Sequence, residues 1–269
     1  MPELPEVETV RRALEAHLVG RRIVAIQCRC PALRRPVPVP RLEQLVGSTF
    51  VAAHRRAKFL LLSLSPATTL LVHLGMTGNL LFGHGDGPHD HVWFGLDQGP
   101  PLFYRDPRRF GLIEVLSADE EARCAELAGL GPEPLTPDFS ADYLQAQCRG
   151  RRRPIKSLLM DNRVVVGVGN IYASESLFQA AIRPTTPAGR ISRGRLERLV
   201  HAVRAVLEAA IDAGGTTIAD YQGTGAGGHF QHQLAVYGRS GKACRVCDAP
   251  VHSLVLAGRS TFYCRRCQH

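Results

Sequence analysis

Four cysteines carry the most specific chemistry in the chain. Cys244-x-x-Cys247 and Cys264-x-x-Cys267 are separated by sixteen residues, a spacing that lets two tight turns present a tetrahedral cage of four thiolates to one Zn2+. Two redox C-x-x-C motifs are the competing reading. Four protein sulfurs leave no open coordination position, so a metal held there is structural rather than catalytic. The intervening VHSLVLAGRSTFY has β character and forms a hairpin with Arg259 near its tip, where a guanidinium can fork a phosphate. A second group lies in MDNRVVVGVGNIYASESLF, where Gly167 and Gly169 precede a helix starting near Asn170. Glycines there let backbone N–H groups approach an anion at the positive end of the helix dipole; the plainer reading is a turn with Asn170 as N-cap. The preceding Arg151, Arg152, Arg153 and Lys156 favour nucleic acid.

The whole-chain charge agrees. Lys and Arg exceed Asp and Glu to give a net +9 over 269 residues, which suits a polyanion, either nucleic acid or an acidic membrane surface. No run of about 20 apolar residues is present to span a bilayer, and no basic amphipathic helix offers a membrane anchor. MPELPEVETV lacks the order of a signal peptide, so the expected location is cytoplasmic, where cysteines stay reduced. Cys28, Cys30, Cys124 and Cys148 have no metal-ligand spacing and receive no role.

The elements that must position these groups fall into three stretches. Pro5 to Leu18 carries Val7, Val10, Leu14 and Leu18 at helical spacing. From Arg22 to about Leu116, short β-type runs such as RRIVAIQC, AKFLLLSL and HVWFGL alternate with Gly, Pro and Asp turns, which argues for a β-sandwich or barrel. Residues 117–130 read as helix, and GLGPEPL marks a boundary. Helical periodicity then covers roughly 138–148, 154–162, 170–182 and 192–213, followed by a glycine-rich loop from Gly214 to Gly228. The expected fold is α+β and multi-domain.

PELPEVET, RRAKFLLL, HLGMTG, HDHV, DPRRFG, GLGPEPL, MDNRVVVGVGNIYASESLF, QLAVYGR and the ending CRVC…RSTFYCRRC occur in an order that resembles the bacterial formamidopyrimidine-DNA glycosylases along nearly the whole chain. The resemblance implies an N-terminal β-sandwich with flanking helices (1–131), a helical helix-two-turns-helix domain (132–228) and a C-terminal β-hairpin zinc finger (229–269). The resemblance implies a base-excision repair enzyme, both glycosylase and lyase, that binds damaged double-stranded DNA between its domains. Such enzymes remove 8-oxoguanine and formamidopyrimidines and cleave the strand by β,δ-elimination. It implies action as a monomer, associated with the bacterial nucleoid. It also converts Pro2, otherwise an ordinary helix-preceding proline, into a nucleophile once Met1 is removed. An α-amino group titrates near pH 8, about neutral enough to attack C1′ and form a Schiff base.

By the same resemblance, Glu3 moves protons at the sugar and Lys58 contacts phosphate and the active site, with Glu6 as a candidate support. Read alone, Glu3 and Glu6 are first-turn glutamates and Lys58 a strand lysine. Met76, Arg108 and Phe110 fill the gap left by the flipped nucleotide, although Met76 and Phe110 alone read as core. His91, Lys156, Asn170, Tyr237 and Arg259 form the backbone-contacting set, and the segment from Thr217 to His232 covers the everted base. Two alternatives remain: an endonuclease VIII-like glycosylase for oxidised pyrimidines, and a non-catalytic zinc-finger DNA-binding protein. PELPE, DPRRFG and the HFQ-containing loop favour the purine enzyme; Pro2, Glu3 and Lys58 together favour catalysis.

Overall fold

The computed structural model describes residues 2–83, 85–216 and 230–269. The chain divides into two compact units, residues 1–128 with 217–228 and residues 129–216 with 229–269. Most of the loop anticipated to cover an everted base, 217–229, lies outside the described residues.

In the first unit, helix α1 spans Leu4–Leu18 and buries Leu4, Val7, Val10, Leu14 and Leu18 along one stripe. Pro5 sits in the first turn, where a missing N–H is harmless, and Glu3 with Glu6 forms a reciprocal capping box. The helix packs on a sandwich of two antiparallel sheets. One has the order β1-β6-β7-β5 and the other β2-β3-β4-β8. The strands are β1 (Ile23–Cys28), β2 (Thr49–Arg56), β3 (Phe59–Ser65), β4 (Thr68–His73), β5 (Asn79–Phe82), β6 (Asp90–Leu96), β7 (Leu102–Arg105) and β8 (Leu112–Ser117). Their inward residues, among them Phe50, Leu60, Leu62, Leu70, Val72, Val92, Phe94 and Tyr104, form one continuous core with α1. A short helix α2 (Val39–Glu43) also belongs to this unit. Where 117–130 reads as helix, only α3 (Ala118–Ala122) is helical; it is capped by Ser117, and Arg123 onwards turns instead.

The second unit is helical with a β-hairpin. Helices α4 (Ala141–Cys148), α5 (Ile155–Leu159), α6 (Asn170–Gln179) and α7 (Arg193–Asp212) surround a core that includes Tyr172, Leu177, Leu196, Leu199, Val203 and Leu207. α5 is shorter than its periodicity suggests, because Pro154 precedes it and Met160 closes it. β9 (Val251–Leu256) pairs with β10 (Arg259–Cys264) through the two-residue turn Ala257-Gly258. Both turn residues have positive φ, 48° and 72°, the combination whose twist matches a hairpin. Among the described residues, no helix is long and apolar enough to cross a membrane.

Candidate active site and nucleic-acid interface

Two loops of the first unit present exposed side chains from a buried anchor. Asp106 is fully buried; its Oδ1 accepts the Thr77 hydroxyl at 2.6 Å and its Oδ2 accepts the Gly111 N–H at 2.8 Å. The Tyr104 hydroxyl donates to Oδ2 at 3.3 Å, and Thr77 Oγ1 in turn accepts the Arg108 N–H at 3.2 Å. HLGMTG and DPRRFG are therefore one platform. Gly75 fits only as glycine: its φ is 63°, and a Cβ would lie 2.5 Å from the Phe110 carbonyl carbon.

The platform displays Met76, Arg108 and Phe110. Met76 is 37% and Phe110 45% exposed, so the core reading of these two apolar side chains fails: packing is spent on the anchor beneath them. The Arg108 guanidinium lies 4.8 Å from the centroid of the Phe110 ring, a cation–π arrangement that holds both side chains outward.

Lys58 sits in the two-residue turn that joins β2 to β3, after Ala57 with φ 55°, rather than within a strand. This hairpin end is tied to α1, because Arg55 donates to Glu8 at 3.1 Å and to the Ala57 carbonyl at 2.8 Å. On the neighbouring strand, His73 stacks against Phe59 with ring centroids 4.8 Å apart and accepts the Gly75 N–H on Nδ1 at 3.0 Å. Burial, aided by the positive charges of Arg34 and Lys58, holds His73 down at about 4. Lys58 therefore lies within electrostatic reach of the strand that leads to Met76. At the start of α1, Glu3 and Glu6 are buried and Pro2 half-buried, with the Glu3 N–H donating to Glu6 Oε2 at 2.8 Å. The carboxyl of Glu6 is thus engaged in organising the first turn.

His91 is buried, and its Nε2 donates to the Asp106 carbonyl at 2.8 Å. Its neighbour Asp90 takes a bidentate fork from Arg105 at 2.6 and 3.0 Å, which pulls the Asp90 carboxyl below its ordinary range against the cost of burial.

In the second unit the anticipated phosphate set is organised by two buried charges. Lys156 is 1% exposed. Its ammonium donates to Asn170 Oδ1 at 2.6 Å, Thr261 Oγ1 at 2.8 Å and the Ser260 carbonyl at 3.2 Å, and Asn170 Nδ2 donates to the same carbonyl at 3.0 Å. Three donors meet three protein acceptors, so Lys156 braces Asn170 and the hairpin instead of offering a free phosphate fork. Gly169 is the N-cap of α6 and Asn170 its first helical residue. Arg259 is exposed at the hairpin turn, as its place in the sequence suggests.

Glu175, a residue given no role in the sequence, is the second organising charge. Its carboxylate accepts the backbone N–H groups of Ala235, Val236 and Tyr237 at 2.7, 3.0 and 2.8 Å. This fixes the QLAVYGR segment, with the Tyr237 ring 5.1 Å from Phe262 in an edge-on contact. Asp106 was equally silent. The available clue was an acid before proline in DPRRFG, a turn initiator.

The sulfur atoms of Cys244, Cys247, Cys264 and Cys267 all lie within 4.8 Å of one another. Cys244 and Cys267 are 3.9 Å apart and Cys247 and Cys264 3.5 Å. A tetrahedron with Zn–S bonds of about 2.3 Å has sulfur edges of about 3.8 Å, so the donors fit one structural Zn2+. Gln268 locks the knuckle, accepting the Cys264 N–H at 2.9 Å and donating to the Ile182 carbonyl at 2.8 Å.

Comparison with known proteins agrees with this organisation. Residues 1–113 match the formamidopyrimidine-DNA glycosylase N-terminal domain, 130–222 the formamidopyrimidine-DNA glycosylase H2TH domain, and 241–269 the zinc finger found in FPG and IleRS. The formamidopyrimidine-DNA glycosylases of Thioalkalivibrio sulfidiphilus and Syntrophotalea carbinolica are 50% and 47% identical, covering 100% of each chain. Among solved structures, the complex between the Lactococcus lactis Fpg and an abasic site containing DNA superposes with TM-score 0.91 at 34% identity over 99% of both chains. The MutM (FPG) protein of Thermus thermophilus gives 0.89 at 39% identity, covering 99% of this chain and 98% of its own. With its three domains matched in order and full-length relatives at half identity, the chain belongs to the formamidopyrimidine-DNA glycosylase family.

Proposed function

We propose that the chain excises oxidised purines, 8-oxoguanine and formamidopyrimidines, from duplex DNA and cleaves the abasic strand, using the nitrogen of Pro2 once Met1 is removed. The observation that carries this reading is the outward display of Met76, Arg108 and Phe110 from the Asp106–Thr77 anchor. Flipping a nucleotide costs a few kcal/mol and opens a hole in the stack. A rigid platform with an apolar wedge and a guanidinium fills that hole, with Arg108 pairing the widowed base and Phe110 wedging beside it.

The secondary amine of Pro2 attacks C1′, the glycosidic bond breaks, and its electron pair leaves with the protonated base. The sugar ring opens to an iminium, an electron sink that acidifies the C2′ hydrogen. Removal of that proton expels the 3′ phosphate, and a second elimination expels the 5′ phosphate. Glu3 protonates the ring oxygen and shuttles these protons, a reading supported by its burial one residue from the amine. Lys58, raised on its turn, supplies positive charge to the phosphate beside the lesion.

Arg259, Asn170 and Tyr237 organise the DNA backbone, with Lys156 holding Asn170 and the hairpin in place; His91, buried against the Asp106 carbonyl, braces the platform instead of contacting phosphate itself. Such contacts position the duplex without specifying sequence. The Zn2+ maintains the hairpin and takes no part in the chemistry. The domains act as 1–131, 132–228 and 229–269, and the enzyme works as a monomer in the bacterial cytoplasm, at the nucleoid. Cleavage of an 8-oxoguanine:cytosine duplex alongside a thymine-glycol duplex tests the substrate class: faster cleavage of the first is expected, and faster cleavage of the second transfers the chain to oxidised pyrimidines.

A further inference from the structure

Both platform loops cross between the two sheets of the first unit: one leads from His73 at the end of β4 to β5, the other from β7 to β8. The phenol oxygen of Tyr104 stands where the ends of these loops meet. It lies 3.5 Å from the His73 carbonyl and 3.3 Å from Asp106 Oδ2, at the start of each loop. At the far ends, a Cβ on Gly78 would stand 2.4 Å from the same oxygen, and one on Gly111 only 1.6 Å from it. Neither glycine has a positive φ, so room rather than backbone conformation demands glycine there. Gly78 is crowded as much by the Leu74 carbonyl, 2.3 Å from its Cβ position, but at Gly111 the phenol oxygen is the closest intrusion, with the next atoms at 2.8 Å.

The oxygen is held from below. Tyr104 is fully buried, and its strand β7 is flanked on both sides, with Tyr104 opposite Val92 of β6 and Leu80 of β5. Burial and the neighbouring charge of Asp106 push the phenol well above its ordinary range. The group therefore keeps its proton and remains a donor in neutral solution. Thr77 and Asp106 draw the two loops together, and the Tyr104 oxygen limits how closely they approach. In a close-packed interior an atom of that size is felt on every side.

We infer that Tyr104 is a positioning residue for base removal: its hydroxyl spaces the loop bearing Met76 from the loop bearing Arg108 and Phe110, and so sets how these side chains enter the vacated stack. This rests on the DNA-repair reading above and assigns the fit of the wedge to one buried oxygen. Tyr104 touches neither DNA nor the reacting sugar. Its effect is confined to substrates in which there is a stack to open and fill.

The test compares wild type, Tyr104→Phe and a control, Phe94→Leu, which loosens the same core from β6. Each protein is given an 8-oxoguanine duplex and a single-stranded abasic oligonucleotide under single-turnover conditions. Tyr104→Phe is expected to slow the duplex reaction by about 10- to 100-fold, as a misplacement on the order of 1 Å does, and to leave single-strand cleavage at the wild-type rate. It should also shrink the fluorescence rise of a 2-aminopurine placed beside the lesion. Phe94→Leu should keep the wild-type ratio of the two rates, because lost stability lowers both together. A second measurement reads the spacing itself: Gly111→Ala should destabilise the Tyr104→Phe protein less than wild type, since the 1.6 Å intrusion is then gone. A wild-type rate ratio in Tyr104→Phe, including equal slowing on both substrates, overturns the inference. So does an equal cost of Gly111→Ala in the two backgrounds. Wild type that cleaves neither substrate overturns the repair reading on which the inference rests.

Discussion

Thr77 donates its hydroxyl to the buried carboxylate of Asp106 at 2.6 Å and accepts the Arg108 N–H at 3.2 Å. One side chain thus couples the loop bearing Met76 to the loop bearing Arg108 and Phe110. Thr77→Val keeps the shape and deletes both hydrogen bonds, at a cost of about 1–3 kcal/mol, chiefly for leaving the buried Asp106 carboxylate one donor short. Urea unfolding should register that loss, and single-turnover excision should slow. A variant of wild-type stability and rate would show that the loops are positioned by something else.

Arg108 and Phe110 are exposed, so their roles separate from folding. Arg108→Ala and Phe110→Ala should leave stability within about 0.5 kcal/mol, while Arg108→Ala weakens binding to lesion duplex by about 1–3 kcal/mol, as for loss of a guanidinium on a base. Titration of a duplex carrying a stable abasic analogue measures this directly. Unaltered affinity in both variants would remove the platform from the flipping mechanism.

Glu175 takes three backbone N–H groups from 235–237. Glu175→Gln replaces one acceptor oxygen with a donor amide facing a donor, so that segment, and Tyr237 with it, should loosen. The expected outcome is faster amide hydrogen exchange at 235–237 together with weaker DNA binding. Protection that stays at the wild-type level would make the carboxylate dispensable.

His73 gives a pH signature. Held down at about 4 in the folded chain, against about 6.5 when unfolded, it favours the folded state most above pH 6.5. As pH falls from 6.5 to 4 the unfolded chain takes up the proton first, and stability drains by about 1.4 kcal/mol per pH unit. Protonation also removes the Nδ1 acceptor of the Gly75 N–H. The stability difference between wild type and His73→Gln, from urea titrations at several pH values, should therefore shift against wild type across this window; a pH-independent difference would contradict the assignment.

Removal of the metal should unfold the knuckle, because the four sulfurs gathered within 4.8 Å lose the metal bonds that tie them together and take up protons instead. One Zn2+ per chain is expected by metal analysis. Cys247→Ser or chelation should lower both the melting temperature and DNA affinity, since the hairpin displays Arg259 and receives Lys156. Zinc-free protein that binds DNA normally would count against a structural metal.

The cysteine cage, the amphipathic α1 and α7 and the Arg259 hairpin were legible in the sequence, because spacing and period are local properties. The outward placement of Met76 and Phe110 was legible only through the family resemblance, since apolar side chains ordinarily go inside. Asp106, Glu175 and the full commitment of Lys156 were not legible. Each depends on partners distant in sequence, such as Thr77 on another strand connection or Thr261 on the hairpin. The helical reading of 117–130 overran because α3 ends at Ala122 and the chain then turns back through Cys124.

The central claim is that the Pro2 nitrogen forms the covalent intermediate. While Met1 remains attached, that nitrogen is a tertiary amide without an available lone pair. Borohydride reduction on 8-oxoguanine duplex, followed by peptide mass mapping, compares protein beginning at Pro2 with a form that retains Met1. The account predicts one DNA adduct per chain, mapped to Pro2 and absent from the retained form. An adduct on Lys58 or any other residue, or trapping undiminished with Met1 in place, would contradict it.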